Sequence, residues 1–183
     1  VNAHILRKEL EEKGSIFQTT MDSEVFLHLF IKNLIKGDYE TAILKAVSKI
    51  KGAYSMILLT CKGEIIGMKD PNGFRPLALG KLNGHYVLAS ETCAFDLIQA
   101  EFIRELDPGE IIIINDEGIK SIRHPKAAQH TSLCIFEYIY FARPDSTIDG
   151  KNVYEMRKKH GQRLARESHV DADLVMPFPD SGN

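Results

Sequence analysis

The segment EYIYFARPDS, residues 137–146, is the stretch from which the fold of this chain is inferred. Apolar or aromatic side chains occupy both even and odd positions of residues 135–141, interrupted only by Glu137. A strand with one solvent face alternates, so this pattern predicts a strand buried on both faces, in which Glu137 needs a buried partner. The strand is expected to end at residues 143–146, because proline removes a backbone donor and Asp and Ser bond to local backbone.

The same string, followed by Ile148-Asp149-Gly150, Asn152 and Val153-Tyr154, resembles the central signature of the amidophosphoribosyltransferase family. Members of that family make phosphoribosylamine from glutamine and phosphoribosyl pyrophosphate in the first committed step of purine synthesis. In the family this signature lies where a glutaminase domain is followed by a phosphoribosyltransferase domain. A second string, DPNGFRPL at residues 70–77, resembles one shared with asparagine synthetases and therefore indicates only the broader class.

The resemblance implies an α+β fold class, namely the four-layer αββα sandwich of N-terminal-nucleophile hydrolases that is found in class II glutamine amidotransferases. We expect a truncated sandwich, followed by the start of an α/β phosphoribosyltransferase domain. Residues 1–131 are then the glutaminase domain without its N-terminal strands, and residues 132–183 are the interdomain segment and the beginning of the transferase domain. One sheet should have an unpaired edge with exposed apolar surface.

Composition narrows the function classes. The 183 residues are 44% hydrophobic and 26% charged, which is typical of a soluble globular protein of one domain or slightly more. A net charge of -2 indicates no nucleic-acid or anionic-membrane partner, and the longest aliphatic run, Ile111–Ile114, is too short to span a bilayer. Three scattered cysteines and no secretory leader favour a reducing cytoplasm.

Local patterns predict the order of the elements. Apolar spacing predicts helices at residues 1–13, 25–36, 41–50 and 93–100. Period-two patterns predict strands at residues 54–60, 63–69, 77–81, 85–90, 102–106, 110–114 and 119–123. Asn152 is predicted to cap a further helix, with Glu155 at capping-box spacing, and residues 172–178 to form the first strand of the transferase sheet. The basic side of that helix is either a solvated face or a phosphate contact.

Asp22 is the candidate substrate-binding residue. It precedes an apolar-periodic helix, so the pattern alone predicts an N-cap. In the resembling family, the Asp of a Thr/Ser-rich turn at this point holds the α-ammonium of glutamine, and the resemblance implies that role for Asp22 beside capping. Arg75 either helps to position the glutamine pocket or pairs with a strand-end carbonyl.

The resemblance also implies which catalytic parts lie elsewhere. The family's nucleophile is an N-terminal cysteine whose own amino group is the base, and an Asn-Gly pair upstream of the first helix here supplies the oxyanion hole. The phosphoribosyl pyrophosphate loop belongs beyond residue 183. No residue of this chain is therefore expected to be catalytic, and the chain alone should be inactive. The full-length protein is expected to use Mg²⁺ with phosphoribosyl pyrophosphate and to form a homo-oligomer.

Cys134 has two interpretations. Some family members carry an iron–sulfur cluster with one ligand just before this signature, which makes Cys134 a possible ligand of a 4Fe–4S cluster. A small buried cysteine is the alternative, and one thiolate cannot hold a cluster alone. Two functions also remain open: an enzyme fragment spanning glutaminase and transferase, or a stand-alone module of the same fold that binds glutamine or a partner without turnover.

Overall fold

The computed structural model describes residues 1–35, 37–179 and 182, and the chain divides into two compact units. Unit 1 comprises Val1–Phe74 and Leu106–Ser132, and unit 2 comprises Arg75–Glu105 and Leu133–Asn183. The helices are α1 (Ala3–Glu11), α2 (Asp22–Asn33), α3 (Tyr39–Val47), α4 (Cys93–Ile98) and α5 (Val153–Glu167). The strands are β1 (Ser55–Leu59), β2 (Ile65–Lys69), β3 (Ala78–Leu82), β4 (His85–Ala89), β5 (Glu101–Glu105), β6 (Glu110–Asn115), β7 (Gly118–Arg123), β8 (Thr147–Ile148) and β9 (Lys151–Asn152).

Unit 1 consists of α1, α2 and α3 with an antiparallel sheet in the order β1-β2-β6-β7. Its core joins the apolar stripes of the three helices to alternate residues of the strands, as period-two patterning requires. On β1, Met56 and Leu58 pack against this core, whereas Ile57 and Leu59 are 51% and 70% exposed. This edge strand thus carries the exposed apolar surface that the sequence predicted.

The ends of the unit 1 helices are fixed by specific backbone and side-chain contacts. Gly14 has a φ of +85° just after α1, a conformation that glycine adopts without steric cost. Asn2 precedes α1 but makes no capping bond; its side chain donates to Lys49 O and accepts from Lys51 N. The helix predicted at residues 25–36 begins earlier and ends at Asn33, and Lys36 lies outside the described residues.

Unit 2 contains a three-stranded antiparallel sheet in the order β4-β3-β5, helices α4 and α5, and the short ribbon β8-β9. Gly80 on β3 has no room for a side chain, since a Cβ atom there would lie 2.9 Å from Glu101 O and 3.0 Å from the Phe95 ring. As predicted, Asn152 caps α5, with its Oδ1 accepting from Glu155 N at 3.1 Å. Helices and antiparallel sheets in both units make the chain mixed α+β.

The strand predicted at residues 135–141 is wrong. Glu137–Phe141 form a single π-helical turn, closed by a 3.1 Å bond from Ala142 N to Glu137 O. Arg157 on α5 donates to Tyr138 O and Ala142 O at 2.7 Å each, which satisfies carbonyls that would otherwise lack partners. Aromatic groups on all sides are compatible with a helical turn as well as with a strand, so the pattern alone could not distinguish them.

The strand predicted at residues 172–178 is also wrong. These residues are described as irregular and exposed, with Leu174, Val175, Met176 and Phe178 each largely accessible. A strand forms only beside another strand, and this stretch has no paired strand among the described residues. The predicted domain boundary after residue 131 and the start of a transferase domain remain predictions.

Candidate functional site

The loop between α1 and α2 is held by side chains. Residues 16–21 form no backbone–backbone hydrogen bond, although all of them are described. Instead, Glu24 in the first turn of α2 accepts from Gln18 N at 2.7 Å and from Thr19 N at 2.8 Å. The Thr19 hydroxyl donates to the same carboxylate at 2.5 Å and accepts from Met21 N. Glu24 therefore determines the conformation of this loop.

The charge of Glu24 is stabilised where it stands. The Thr19 hydroxyl, the backbone N–H groups of Gln18 and Thr19 and the nearby Arg7 lower the pKa of its carboxyl to about 2. Arg7 also donates to Met21 O at 3.1 Å, and its guanidinium lies 4.1 Å from the centre of the Phe17 ring. Both ends of the loop are thus tied to neighbouring helices.

Asp22 is not the N-cap that the sequence predicted. Helix α2 starts at Asp22 itself, Met21 occupies the capping position in an extended conformation, and no side chain makes a capping bond. Because the chain enters the helix one residue early, the Asp22 carboxylate stands beside the first turn, where the N–H groups that a cap would bind are out of its reach.

The Asp22 carboxylate has no bonding partner among the described residues. It is exposed and makes no hydrogen bond or ion pair with the described part of the chain. It lines a cavity of about 280 Å³ in unit 1, together with Val1, Phe26, Lys51 and Tyr54. The Tyr54 hydroxyl is buried without a hydrogen-bond partner among the described residues, and burial, with the charge of Asp70, raises the pKa of Tyr54. The position offers a carboxylate to a cationic ligand.

A second carboxylate, Asp70, builds a turn within the DPNGFRPL string of residues 70–77. Asp70 is fully buried, and its two oxygens accept from Asn72 N at 2.9 Å and Phe74 N at 3.0 Å. Gly73 N donates to Asp70 O at 3.0 Å, so Gly73 closes this four-residue turn. Gly73 has a φ of +68°, and a Cβ atom there would lie 3.2 Å from Pro108. The turn is a structural element of unit 1.

In unit 2, Arg75 and Glu137 form an ion pair. The Arg75 Nη1 atom lies 2.5 Å from Glu137 Oε1, and its guanidinium lies 4.4 Å from the centre of the Phe141 ring. The prediction that buried Glu137 has a partner is confirmed. Arg75 pairs with this carboxylate and not with the strand-end carbonyl suggested by the sequence, so its contacts are structural.

The turn at Arg143–Ser146 is held by residues that the sequence analysis missed. Glu91 Oε2 accepts from Arg143 N at 2.8 Å and from Ser146 Oγ at 2.7 Å, and Thr92 Oγ1 accepts from Thr147 N at 2.8 Å. The turn itself was predicted and is closed by a 3.1 Å bond from Ser146 N to Arg143 O. Only the Ser-Glu-Thr cluster before α4 could have signalled its partners.

The described residues do not fit a metal cluster. Within residues 1–35, 37–179 and 182, no group of three or more His, Cys, Asp or Glu side chains could hold a metal ion. Cys134 is half-buried and unbridged, so it offers one thiol. A cluster that needs four ligands cannot be held by these residues alone.

The basic side of α5 is partly structural, since Arg157 binds backbone carbonyls and Arg163 pairs with Glu167 at 2.6 Å. Arg163 therefore fits the solvated face that the sequence offered as one interpretation, whereas Arg157 holds the backbone carbonyls of Tyr138 and Ala142. None of the helices in the described part of the chain is both long enough and apolar enough to span a membrane.

Comparisons with known proteins relate this chain to glutamine amidotransferases, one over its first 96 residues and the others over 99% of its length. The profile of the glutamine amidotransferase domain matches residues 1–96. The amidophosphoribosyltransferase of Bacillus subtilis is 50% identical over 181 residues, which cover 99% of this chain and 37% of that protein. The enzyme of the same name from Staphylococcus aureus strain Mu50 is 46% identical over 184 residues, or 99% of this chain and 36% of that protein. The chain thus spans a little over a third of these relatives.

Solved structures give the same result. A structure described as the allosteric regulatory enzyme of purine biosynthesis matches 100% of this chain and 39% of its own, with a TM-score of 0.92 and 48% identity. The glutamine phosphoribosylpyrophosphate amidotransferase of Bacillus subtilis, complexed with ADP and GMP, matches 99% of this chain and 39% of its own, with a TM-score of 0.91 and 48% identity. This chain belongs to the glutamine amidotransferase domain family and is homologous to the glutamine amidotransferase region of amidophosphoribosyltransferases.

Proposed function

We propose that this chain forms the glutaminase part, and the beginning of the transferase part, of an enzyme that makes 5-phosphoribosylamine. The enzyme uses ammonia released from glutamine, and phosphoribosyl pyrophosphate, in the first step of purine synthesis. The observation that carries the proposal is 50% identity, over 99% of the chain, to an amidophosphoribosyltransferase. The finer fold, an αββα sandwich followed by the start of a phosphoribosyltransferase domain after residue 131, belongs to the same proposal.

In this proposal Asp22 binds the α-ammonium group of glutamine. Its carboxylate is exposed, lines a cavity and has no partner in the described chain, so it needs no rearrangement to receive a cation. The Glu24 carboxylate, two residues further on, already accepts three hydrogen bonds from the loop, which hold it there. Asp22 is therefore the better candidate of the two acidic residues in this turn.

Residues 1–183 alone are proposed to be inactive. Cys61, Cys93 and Cys134 lie inside the chain, so their nitrogens are in peptide bonds and cannot act as the base of an N-terminal nucleophile. Glutamine turnover by the purified 183-residue chain would contradict this part. Turnover by the full-length enzyme carrying this sequence, with transfer to phosphoribosyl pyrophosphate in the presence of Mg²⁺, is the expected result. A full-length protein that binds glutamine without turnover would instead be a non-catalytic module of the same fold.

The test of the Asp22 role is Asp22→Asn in the full-length enzyme. The amide is the same size but carries no charge, and a hydrogen bond to an ion is worth roughly 1.5–3 kcal/mol. Glutamine use should fall by about ten- to a hundredfold at that energy, whereas reaction with free ammonia should be nearly unchanged. The matched control is Glu40→Gln, which changes a half-buried carboxylate of α3 that pairs with Lys120. Equal losses with glutamine and ammonia would contradict the role.

Cofactors and an oligomeric state are also proposed. Mg²⁺ is proposed to enter with the pyrophosphate substrate, and homo-oligomerisation is proposed for the full-length protein. Cys134 is proposed as at most one ligand of a 4Fe–4S cluster, because the described residues hold no metal group of their own. Iron and sulfide analysis of the full-length protein, beside a Cys134→Ser variant, tests this ligand directly.

A further inference from the structure

In the connection between α1 and α2, Glu24 accepts more hydrogen bonds from the loop than any other described side chain. Residues 16–21 have no backbone–backbone hydrogen bonds, and a chain segment must place its N–H groups somewhere. Two consecutive N–H groups, of Gln18 and Thr19, and the Thr19 hydroxyl all donate to Glu24. The oxygens of Glu24 divide the task, since Oε1 accepts from Gln18 and Oε2 accepts both donors of Thr19. Both oxygens are needed.

The path of the loop determines the position of Asp22. The loop ends at Met21, and α2 begins at the next residue, Asp22, so the path of the loop sets where the helix starts. Residues two apart on a helix do not face each other, so Glu24 can turn to the loop while Asp22 faces away from it. Both carboxylates lie in the first turn of a twelve-residue helix, whose dipole favours negative charge there.

We propose that Glu24 is a positioning residue for glutamine: it fixes the Gln18–Met21 loop and thereby the place of the Asp22 carboxylate. The inference rests on the proposed function, because it takes Asp22 as the group that meets the substrate. Without Glu24, two backbone N–H groups lose their acceptor, the loop takes other conformations and the first turn of α2 frays. Asp22 then spends only part of its time where the ammonium group would lie, which weakens binding without touching the chemistry.

The test uses the full-length enzyme with Glu24→Ala and Glu24→Gln. Gln is isosteric but replaces one of the two accepting oxygens by an NH₂ group, which then faces a donor. The KM for glutamine should rise about five- to tenfold in Glu24→Ala, the size of one lost hydrogen bond, and by a similar or smaller factor in Glu24→Gln. The kcat with glutamine and the rate with free ammonia should both stay close to those of the unmodified enzyme.

Two further variants separate the hydroxyl contact from the backbone contact. Thr19→Val removes only the hydroxyl that donates to Glu24 and should raise the KM for glutamine, whereas Thr19→Ser keeps the hydroxyl and should restore it. Glu40→Gln is the control for loss of a half-buried carboxylate in unit 1 and should leave the KM unchanged. Amide exchange of the peptide covering residues 16–22, followed by mass spectrometry, should become faster in both Glu24 variants.

The outcomes decide the inference. An unchanged KM for glutamine in Glu24→Ala, or unchanged amide exchange in residues 16–22, overturns it. Equal losses with glutamine and ammonia also overturn it, because they indicate a general defect of folding. If Asp22→Asn leaves the KM for glutamine unchanged while Glu24→Ala raises it, the proposed role of Asp22 is wrong. Glu24 then positions another group of the loop instead of Asp22.

Discussion

Two loops of unit 1 are each organised by a single carboxylate, and they differ in what that carboxylate faces. Asp70 is buried and bonds forward to the N–H groups of its own turn, Asn72 and Phe74. Glu24 lies near the surface and bonds backward, across five and six residues, to Thr19 and Gln18. The first arrangement closes a turn around a buried carboxylate, whereas the second holds a loop beside a carboxylate that has no partner among the described residues. The comparison separates residues that hold the fold from residues that prepare a site.

The largest effect is expected at the buried turn. Asp70→Ala removes both side-chain acceptors of the turn, so the part-buried N–H groups of Asn72 and Phe74 lose their partners. Hydrogen bonds to a charged group contribute roughly 1.5–3 kcal/mol each and are not fully additive, so a loss of about 3 kcal/mol is expected. Denaturant titration measures the free energy of unfolding. Asp70→Asn keeps one accepting oxygen and should cost less; equal costs for the two variants would contradict this account.

A smaller effect, dependent on pH, is expected at His124. This side chain is buried after β7, its Nδ1 accepts from Lys126 N at 3.0 Å, and burial lowers its pKa below the ordinary value of 6.5. Because the unfolded chain then binds the proton more tightly, the stabilising contribution is complete above pH 6.5 and is lost as the pH falls through the lower folded pKa. The slope contributed by one proton cannot exceed about 1.4 kcal/mol per pH unit.

Unfolding titrations at a series of pH values from 8 to 5, spaced by about one pH unit, would measure this slope. His124→Asn keeps an oxygen that can accept from Lys126 N and should remove the slope. His85→Asn, at an exposed histidine of β4, is the control and should leave it in place. A slope that persists in His124→Asn would assign the acid sensitivity to other groups.

The next effect in size is at the start of α5. Asn152 caps this helix through its bond from Glu155 N, and replacement of such a cap by alanine costs about 1 kcal/mol. Asn152→Ala should therefore lower the free energy of unfolding by about that amount, and Asn152→Asp should lower it very little. Helix content and unfolding of the two variants, measured together, check the cap. A cap that costs nothing would show that the packing of α5 alone determines where it begins.

Local patterns in the sequence predicted most of the elements, because helix and strand periodicities reflect which face of each element is buried. They failed where a distant side chain decides the structure. The π-helical turn at residues 137–141 depends on Arg157, which is 16 or more positions away in the sequence. Residues 172–178 have apolar character but no strand beside them among the described residues.

Local rules also failed at the candidate site, where the deciding contacts join residues only five or six positions apart. The capping rule placed Asp22 one residue before the helix, whereas α2 begins at Asp22 itself. The rule for capping boxes connects a Glu with the residue three positions before it, which for Glu24 is Met21. Its actual partners, Gln18 and Thr19, lie outside that window, so no local pattern indicated the loop contact.

The smallest effect on stability is expected at Asp22, and it is the sharpest test of the comparison. The side chain makes no capping bond and no ion pair with the described residues, so Asp22→Ala should change the free energy of unfolding by less than about 0.5 kcal/mol. An N-cap Asp would instead lose about 1 kcal/mol or more on this change. The remaining contribution is the charge at the helix N-terminus, which is worth a few tenths of a kcal/mol when exposed.

The same variant should lose glutamine use as strongly as Asp22→Asn does, since both remove the charge that the ammonium group needs. Thermal or denaturant unfolding, run beside kinetics with glutamine and with ammonia, measures the two effects on one preparation. A small cost in stability with a large loss of glutamine use fits a carboxylate that is free for substrate. A large cost in stability with normal glutamine kinetics would show that Asp22 stabilises the helix. The distinction between a loop that holds the fold and a loop that prepares a site would then be wrong.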